Sequence, residues 1–192
     1  MLPKILLLSI MSILLSNTCK VDSASYINKI NKMLLDFSID YSIKDNIKFE
    51  SSNLVVIGKN IYGYDMKLDS IAAEAFFEMQ KSAKKDSIEL RIASAFRSFD
   101  YQNKIIQKKI KNGRSIESIL KENTLPGYSE HHTGYALDFI SKEAYSLSVD
   151  FEKTDEFNWL LNNANRYGFY LSYPKNNNRG IMYEPWHWAF KK

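Results

Sequence analysis

The sequence predicts an α+β fold: a small, mainly antiparallel sheet with helices packed against it and a cleft between them. Three observations lead there. Helical and alternating apolar periods are interspersed without the regular strand–helix alternation that builds a parallel sheet. The strand-like runs are short and are set off by glycine or proline. The chain has 192 residues, 45% hydrophobic and 25% charged, enough for one soluble domain with a sizeable core.

The elements follow in order. Residues 1–25 read as a removable leader and not as fold. Lys4 is the positive start, Ile5 to Leu15 are almost unbroken apolar residues, and small polar residues follow. The apolar run is short for a membrane span and suits a signal peptide. Leu15-Ser16-Asn17-Thr18-Cys19 resembles a lipoprotein signal, in which Cys19 carries the lipid; cleavage near Ser23-Ala24-Ser25 is the alternative. The remainder, 26–192, is expected to be one domain. Tyr26, Ile27, Ile30, Met33, Leu34 and Phe37 recur at helical spacing. Residues 47–57 end in the β-prone run Leu54-Val55-Val56-Ile57. Residues 70–84 form a helix with Ile71, Ala75, Phe76 and Met79 as its apolar stripe. Ile88, Leu90 and Ile92 alternate with Glu89 and Arg91, predicting a strand over 87–94. Helices are predicted over 99–111 and 115–122, separated at Gly113. Pro126-Gly127 marks a loop, Gly134 to Ile140 a strand, and 153–167 a helix stopped by Gly168. Phe169 to Tyr173 is a short strand, Pro174 to Asn178 a polar turn, and 181–190 a last strand interrupted at Pro185.

Composition narrows the partners. The formal charge is +4 and the pI about 8.9, with no basic block of the kind that binds nucleic acid. The Lys-rich stretch Lys104 to Lys111 reads as a solvated helix face, and a membrane partner is expected only through a lipid at Cys19. One cysteine precludes an internal disulfide. The three histidines are His131, His132 and His187, so any histidine metal site draws on these.

Two segments carry the chemistry: Ser129-Glu130-His131-His132-Thr133-Gly134-Tyr135-Ala136-Leu137-Asp138 and Glu184-Pro185-Trp186-His187. His131, Asp138 and His187 make a catalytic zinc shell that leaves a fourth position for water. Glu184, a carboxylate outside the shell, can take that water's proton. Spacing adds structure to the idea. An odd separation of seven would put His131 and Asp138 on opposite faces of one strand, so His131 belongs on the preceding loop, with Gly134 allowing the turn. Pro185 breaks the last strand, letting Glu184 and His187 face one cleft. Beyond it, His187 and Ala189 share one face, while Trp186, Trp188 and Phe190 pack toward the core.

The pattern Ser-x-His-x-x-Gly-x-Ala-x-Asp followed by Glu-Pro-Trp-His resembles the VanY-type D-alanyl-D-alanine carboxypeptidases, relatives of D-Ala-D-Ala dipeptidases and Hedgehog-like domains. Ser94-Ala95-Phe96-Arg97-Ser98 with Gln102, and the stretch Trp159-Leu160, Asn163-Ala164, Tyr167-Gly168-Phe169 and Tyr173-Pro174, extend the resemblance over roughly 50–190. The resemblance implies zinc on His131, Asp138 and His187, and Glu184 as general base and then acid. It implies Arg97 on the anionic intermediate, and Ser129 and Gln102 on the peptide. The implied activity is removal of a C-terminal D-amino acid from peptidoglycan stem peptides outside the cytoplasm. The sequence departs from the pattern at Ser172, where an arginine is common, and after His187, where Trp188 and Ala189 stand. These departures leave the shell intact and leave substrate preference open.

Alternatives with the same chemistry are an L,D-carboxypeptidase, a D-Ala-D-Ala dipeptidase and a wall endopeptidase. One of another class is a non-catalytic, zinc-stabilised binding domain; Glu184 together with Arg97 argues against it, because a binding module needs no positioned base. His132, off the motif, is expected in a supporting role, and Trp186 and Trp188 are expected in the core.

Overall fold

A computed structural model describes residues 22–39 and 47–192. The expected leader and Cys19 lie outside these residues, apart from its last positions. Ser23-Ala24-Ser25 form the first turn of α1 (Ser23–Asp36), and the Asp22 side chain accepts from the Ala24 amide as its N-cap. The α1 side chains Tyr26, Ile30 and Met33 are buried, as their helical spacing requires.

The architecture is α+β. Two antiparallel strands, β1 (Leu54–Lys59) and β2 (Asp65–Asp69), form a hairpin. Four more, β3 (Arg91–Ser94), β4 (Ala136–Ile140), β5 (Phe169–Leu171) and β6 (His187–Phe190), form an antiparallel sheet in the order β3-β4-β6-β5. The helices are α2 (Ser70–Lys85), α3 (Phe99–Lys111), α4 (Ile116–Leu120) and α5 (Asp155–Asn163). The expected helix over 153–167 is two pieces, α5 and a 3-10 turn at Ala164–Tyr167, with another 3-10 turn, Val149–Lys153, leading into them.

Two differences from the sequence reading have simple causes. The strand over 65–69 was not expected, although Met66 and Leu68 alternate with Asp65, Lys67 and Asp69; five residues give little periodic signal. The last strand starts only at His187, because Pro185 cannot donate to a ladder.

The main core lies between α2, α5 and the four-stranded sheet. Phe76, Phe139, Phe151 and Phe169 are almost fully buried there, each contributing about 1.5–3 kcal/mol by leaving water. A second cluster joins Tyr26, Ile30 and Met33 of α1 to Phe99 and Ile106 of α3 and Ile119 of α4. Trp186 and Trp188 belong to the main core, so the last strand's apolar face anchors the segment that carries His187.

Candidate metal centre and catalytic cleft

Register brings the first two chemical groups together. In the β4–β6 ladder Asp138 is the direct cross-strand partner of His187, and Ala136 of Ala189, so their side chains share one face. The third group comes from outside the sheet. His131 lies in a 3-10 turn, Glu130–Thr133, which ends at Gly134 in the left-handed conformation with φ +70°. That turn is sewn to the chain leaving β3. His131 Nδ1 meets the Ala95 carbonyl at 2.6 Å, the Arg97 amide donates to the His131 carbonyl at 3.2 Å, and His132 Nδ1 meets the Arg97 carbonyl at 2.5 Å. The donor atoms of His131, Asp138 and His187 all lie within 4.8 Å of one another, and all three residues are buried.

The donor set fits a zinc ion. His131 gives its Nδ1 proton to a carbonyl, which leaves the Nε2 lone pair free; buried Nε2 has no hydrogen-bond partner and lies 3.2 Å from Asp138 Oδ2. His187 Nδ1 lies 3.0 Å from Asp138 Oδ1. Tetrahedral donors on bonds of ~2 Å stand about 3.3 Å apart, close to both separations. Charge agrees. Burial drives His131 down to about 4, reinforced by the nearby Arg97, so its lone pair is available near neutrality. Burial would lower His187 too, but the hydrogen bonds and charges of Asp138 and Glu130 overcome it and raise it to about 10. Burial also opposes the charge on Asp138, yet the two imidazoles hold it well below the usual carboxylate range. One buried carboxylate, Asp138, set between two buried imidazoles favours a cation among the three.

Glu184 stands beside the triad. The His187 amide donates to its carbonyl at 3.1 Å, closing a tight turn with Pro185 at the second position, where a fixed φ suits it. This places a Glu184 carboxylate oxygen 3.9 Å from His187 Nδ1. Burial raises Glu184 to about 7, with His187 and Arg97 opposing and Asp138 and Glu130 adding to the rise. A carboxyl in that range is poised for proton transfer near neutrality.

Arg97 immediately precedes Ser98, the N-cap of α3, and its Nη2 lies 3.6 Å from Asp138 Oδ2. Its Nε is buried without a hydrogen-bond partner. Ser129 caps the 3-10 turn by accepting from the His131 amide at 3.3 Å, and it also lines the cleft. Buried Gln102 donates from Nε2 to the Thr124 carbonyl at 2.9 Å, while its Oε1 has no partner. Arg97, Gln102, Ser129, Glu184 and the three donors therefore line one cleft of about 480 Å³. His132 stands apart from it: its Nε2 accepts from the Gly127 amide at 3.0 Å, so the ring joins the Pro126-Gly127 loop to the start of α3.

Glu130 is a group that the sequence reading passed over. Its Oε2 lies 3.0 Å from His187 Nε2, on the side opposite Asp138. The signal was available in chemistry and not in spacing: a histidine ligand needs a partner for its second nitrogen. At Ser172, where the pattern commonly has arginine, the side chain helps keep Glu130 ionised, and the guanidinium on that carboxylate comes from Arg179.

Comparison with known proteins agrees with this picture. The family model VanY, D-alanyl-D-alanine carboxypeptidase, matches residues 65–192. The Bacillus subtilis protein YodJ, named as a carboxypeptidase, is 32% identical over 178 residues, 88% of this chain and 63% of its own length. The structure of the LdcB LD-carboxypeptidase superposes with a TM-score of 0.67 at 32% identity, over 74% of this chain and 70% of that one. A vancomycin-resistance D,D-pentapeptidase VanY, solved as a point mutant with Zn(II), matches with a TM-score of 0.55 over 77% of this chain and 80% of that one; at 23% identity this likeness speaks for the fold. The chain spans 49–63% of the length of the curated relatives it matches.

Proposed function

This chain belongs to the VanY family of D-alanyl-D-alanine carboxypeptidases, and we propose that it is a zinc-dependent carboxypeptidase that removes a C-terminal D-amino acid from peptidoglycan stem peptides. One observation carries the reading: His131, Asp138 and His187 converge on a cleft in which a separate buried carboxylate, Glu184, stands beside them.

Zinc held by the three donors would polarise the scissile carbonyl and lower the pKa of a bound water. Glu184 takes a proton from the attacking water and returns it to the leaving amine, which its position near neutrality suits. Arg97 is the charged donor for the oxyanion that forms as the carbonyl is attacked. The unpaired Gln102 Oε1 can accept from a peptide N–H, and Ser129 borders the same space. The Met182 amide donates to the Lys121 carbonyl at 2.9 Å, tying Met182 of the cleft wall to the residue that follows α4.

A second reading keeps this machinery and changes the bond: L,D-carboxypeptidase activity on tetrapeptide stems, favoured by the likeness to LdcB. Residues 1–25 as the leader of an exported protein, with Cys19 as its lipidation site, complete the proposal, since that substrate lies outside the cytoplasm. Among the described residues no helix is long and apolar enough to cross a membrane. The test is mass spectrometry of defined pentapeptide and tetrapeptide muropeptides incubated with the zinc-loaded protein. Loss of the terminal D-Ala from the pentapeptide supports the first reading, and loss from the tetrapeptide alone supports the second. Intact substrates under both conditions, with zinc bound, would return the chain to the non-catalytic alternative.

A further inference from the structure

Arg179 has no part in the catalytic steps proposed above, yet it ends two contacts short of the candidate metal centre. It lies on the loop between Tyr173 and Glu184. Asn177 shapes that loop: its side-chain amide donates to the Pro174 and Ile181 carbonyls at 3.0 and 2.9 Å, and its carbonyl oxygen accepts from the Arg179 amide at 3.0 Å. So held, Arg179 turns back toward the cleft. Its Nη1 lies 2.7 Å from Glu130 Oε1, and its guanidinium sits over the Tyr173 ring, 5.6 Å from the centroid. Tyr173 in turn packs on the His187 ring at 4.9 Å. The other oxygen of Glu130 meets His187 Nε2 at 3.0 Å. One cation thus fixes both the carboxylate and the ring that flank a single imidazole.

We propose that Arg179 is a positioning residue for the metal centre: through Glu130 it sets the tautomer and orientation of His187, so that the order of the 174–183 loop and zinc affinity are coupled. The proposal rests on the reading of His131, Asp138 and His187 as zinc ligands. An imidazole that gives its Nε2 proton to a carboxylate keeps the Nδ1 lone pair for a cation, and the carboxylate must be fixed to hold that direction. Glu130 is fixed at Oε1 by Arg179 and at Oε2 by His187. Without the guanidinium, Glu130 can rotate and the imidazole can follow it.

The alternative is an ordinary surface ion pair. The Arg179 side chain is 45% exposed, and exposed pairs contribute little to folding. The two roles therefore separate in measurement. Arg179→Ala should leave the melting temperature of the chelator-treated protein almost unchanged. It should weaken zinc binding, measured by competition with a chromophoric chelator, by roughly 10–100-fold. Arg179→Lys keeps the charge without the planar fork and should fall between. Glu130→Gln should weaken binding too, and the double variant should be no weaker than Glu130→Gln alone, because Arg179 acts through Glu130. The visible spectrum of the cobalt-substituted protein should change in Arg179→Ala as the His187 ligand reorients. Wild-type zinc affinity in both Arg179 variants, or full additivity with Glu130→Gln, would overturn the proposal and leave the zinc centre standing. A wild-type chain that binds no zinc would instead overturn the metal reading on which it rests.

Discussion

Gly134→Ala tests how tightly the His131 turn is built into the fold. Gly134 has φ +70°, and a Cβ added there would meet the Asp69 amide nitrogen at 2.7 Å, the Leu54 Cδ2 at 3.1 Å and the Asp69 Cβ at 3.2 Å. The nearest of these is backbone, and it is the same amide that donates to the Gly134 carbonyl at 2.9 Å. It cannot yield without disturbing Asp69, which caps α2 and accepts from Ser51 at 2.7 Å. Left-handed geometry costs a non-glycine residue about 1–2 kcal/mol. Overpacking against an unyielding neighbour adds about 1–3 kcal/mol, giving a loss of about 2–5 kcal/mol. For a domain of this size each kcal/mol shifts Tm by about 2–4 °C, so a drop of at least about 4 °C is expected in thermal unfolding followed by circular dichroism. Gly113 is the matched control: its φ is +84° with nothing within 4 Å of an added Cβ, so Gly113→Ala incurs the backbone term alone. The Gly134 variant should also bind zinc more weakly, because its amide closes the turn on the His131 carbonyl at 3.3 Å. Equal Tm for the two variants, with unchanged zinc affinity in both, would refute the claim that this glycine is demanded by close approach and that it positions His131.

Three further outcomes are expected. Glu184→Gln should retain zinc and lose about 10²–10⁴-fold in turnover, since a base is removed and no ligand is; wild-type turnover with metal bound would remove Glu184 from the mechanism. Arg97→Ala should lower kcat by about 10²–10³-fold with a smaller change in KM, as loss of an oxyanion donor does; a rise in KM alone would make it a ground-state binding residue. In detergent phase partitioning the full-length product should enter the detergent phase and Cys19→Ser should not. Identical aqueous partitioning would end the tether proposal without touching the cleft.

The candidate site was legible in the sequence to the extent that its chemistry is local. The turn around Gly134, the break at Pro185 and the inward face of Trp186 and Trp188 could be read from neighbours in the chain, because each follows from the backbone limits of glycine and proline or from strand alternation. The pairing of Asp138 with His187 could not, since it depends on the register of β4 against β6. Glu130 was passed over for a related reason, since spacing along the chain does not mark it. It neighbours His131 in sequence but serves His187, 57 residues away. The hairpin's second strand was missed because its neighbours along the chain gave too short a period, and its pairing partner supplies what its own pattern lacks.

The same division explains how precision is shared across the cleft. Asp138 and His187 sit opposite each other in a ladder whose other face is core, so their separation is set by hydrogen bonds and buried tryptophans that neither substrate nor metal need create. His131 and Arg97 come from the two sides of one seam, where the turn's histidines and the exit of β3 exchange three hydrogen bonds. A shift of that seam would move a proposed ligand and the proposed oxyanion donor together, preserving their relation while changing both relative to Asp138. Glu184 alone among the proposed catalytic groups stands on a turn that its own proline shapes. Preorganisation is therefore built in where the proposed donors must match fixed coordination distances. Glu184 is held too, by that turn and by its amide's bond to the Tyr173 carbonyl at 3.1 Å, and the proposed mechanism asks it to take a proton at one place and release it at another.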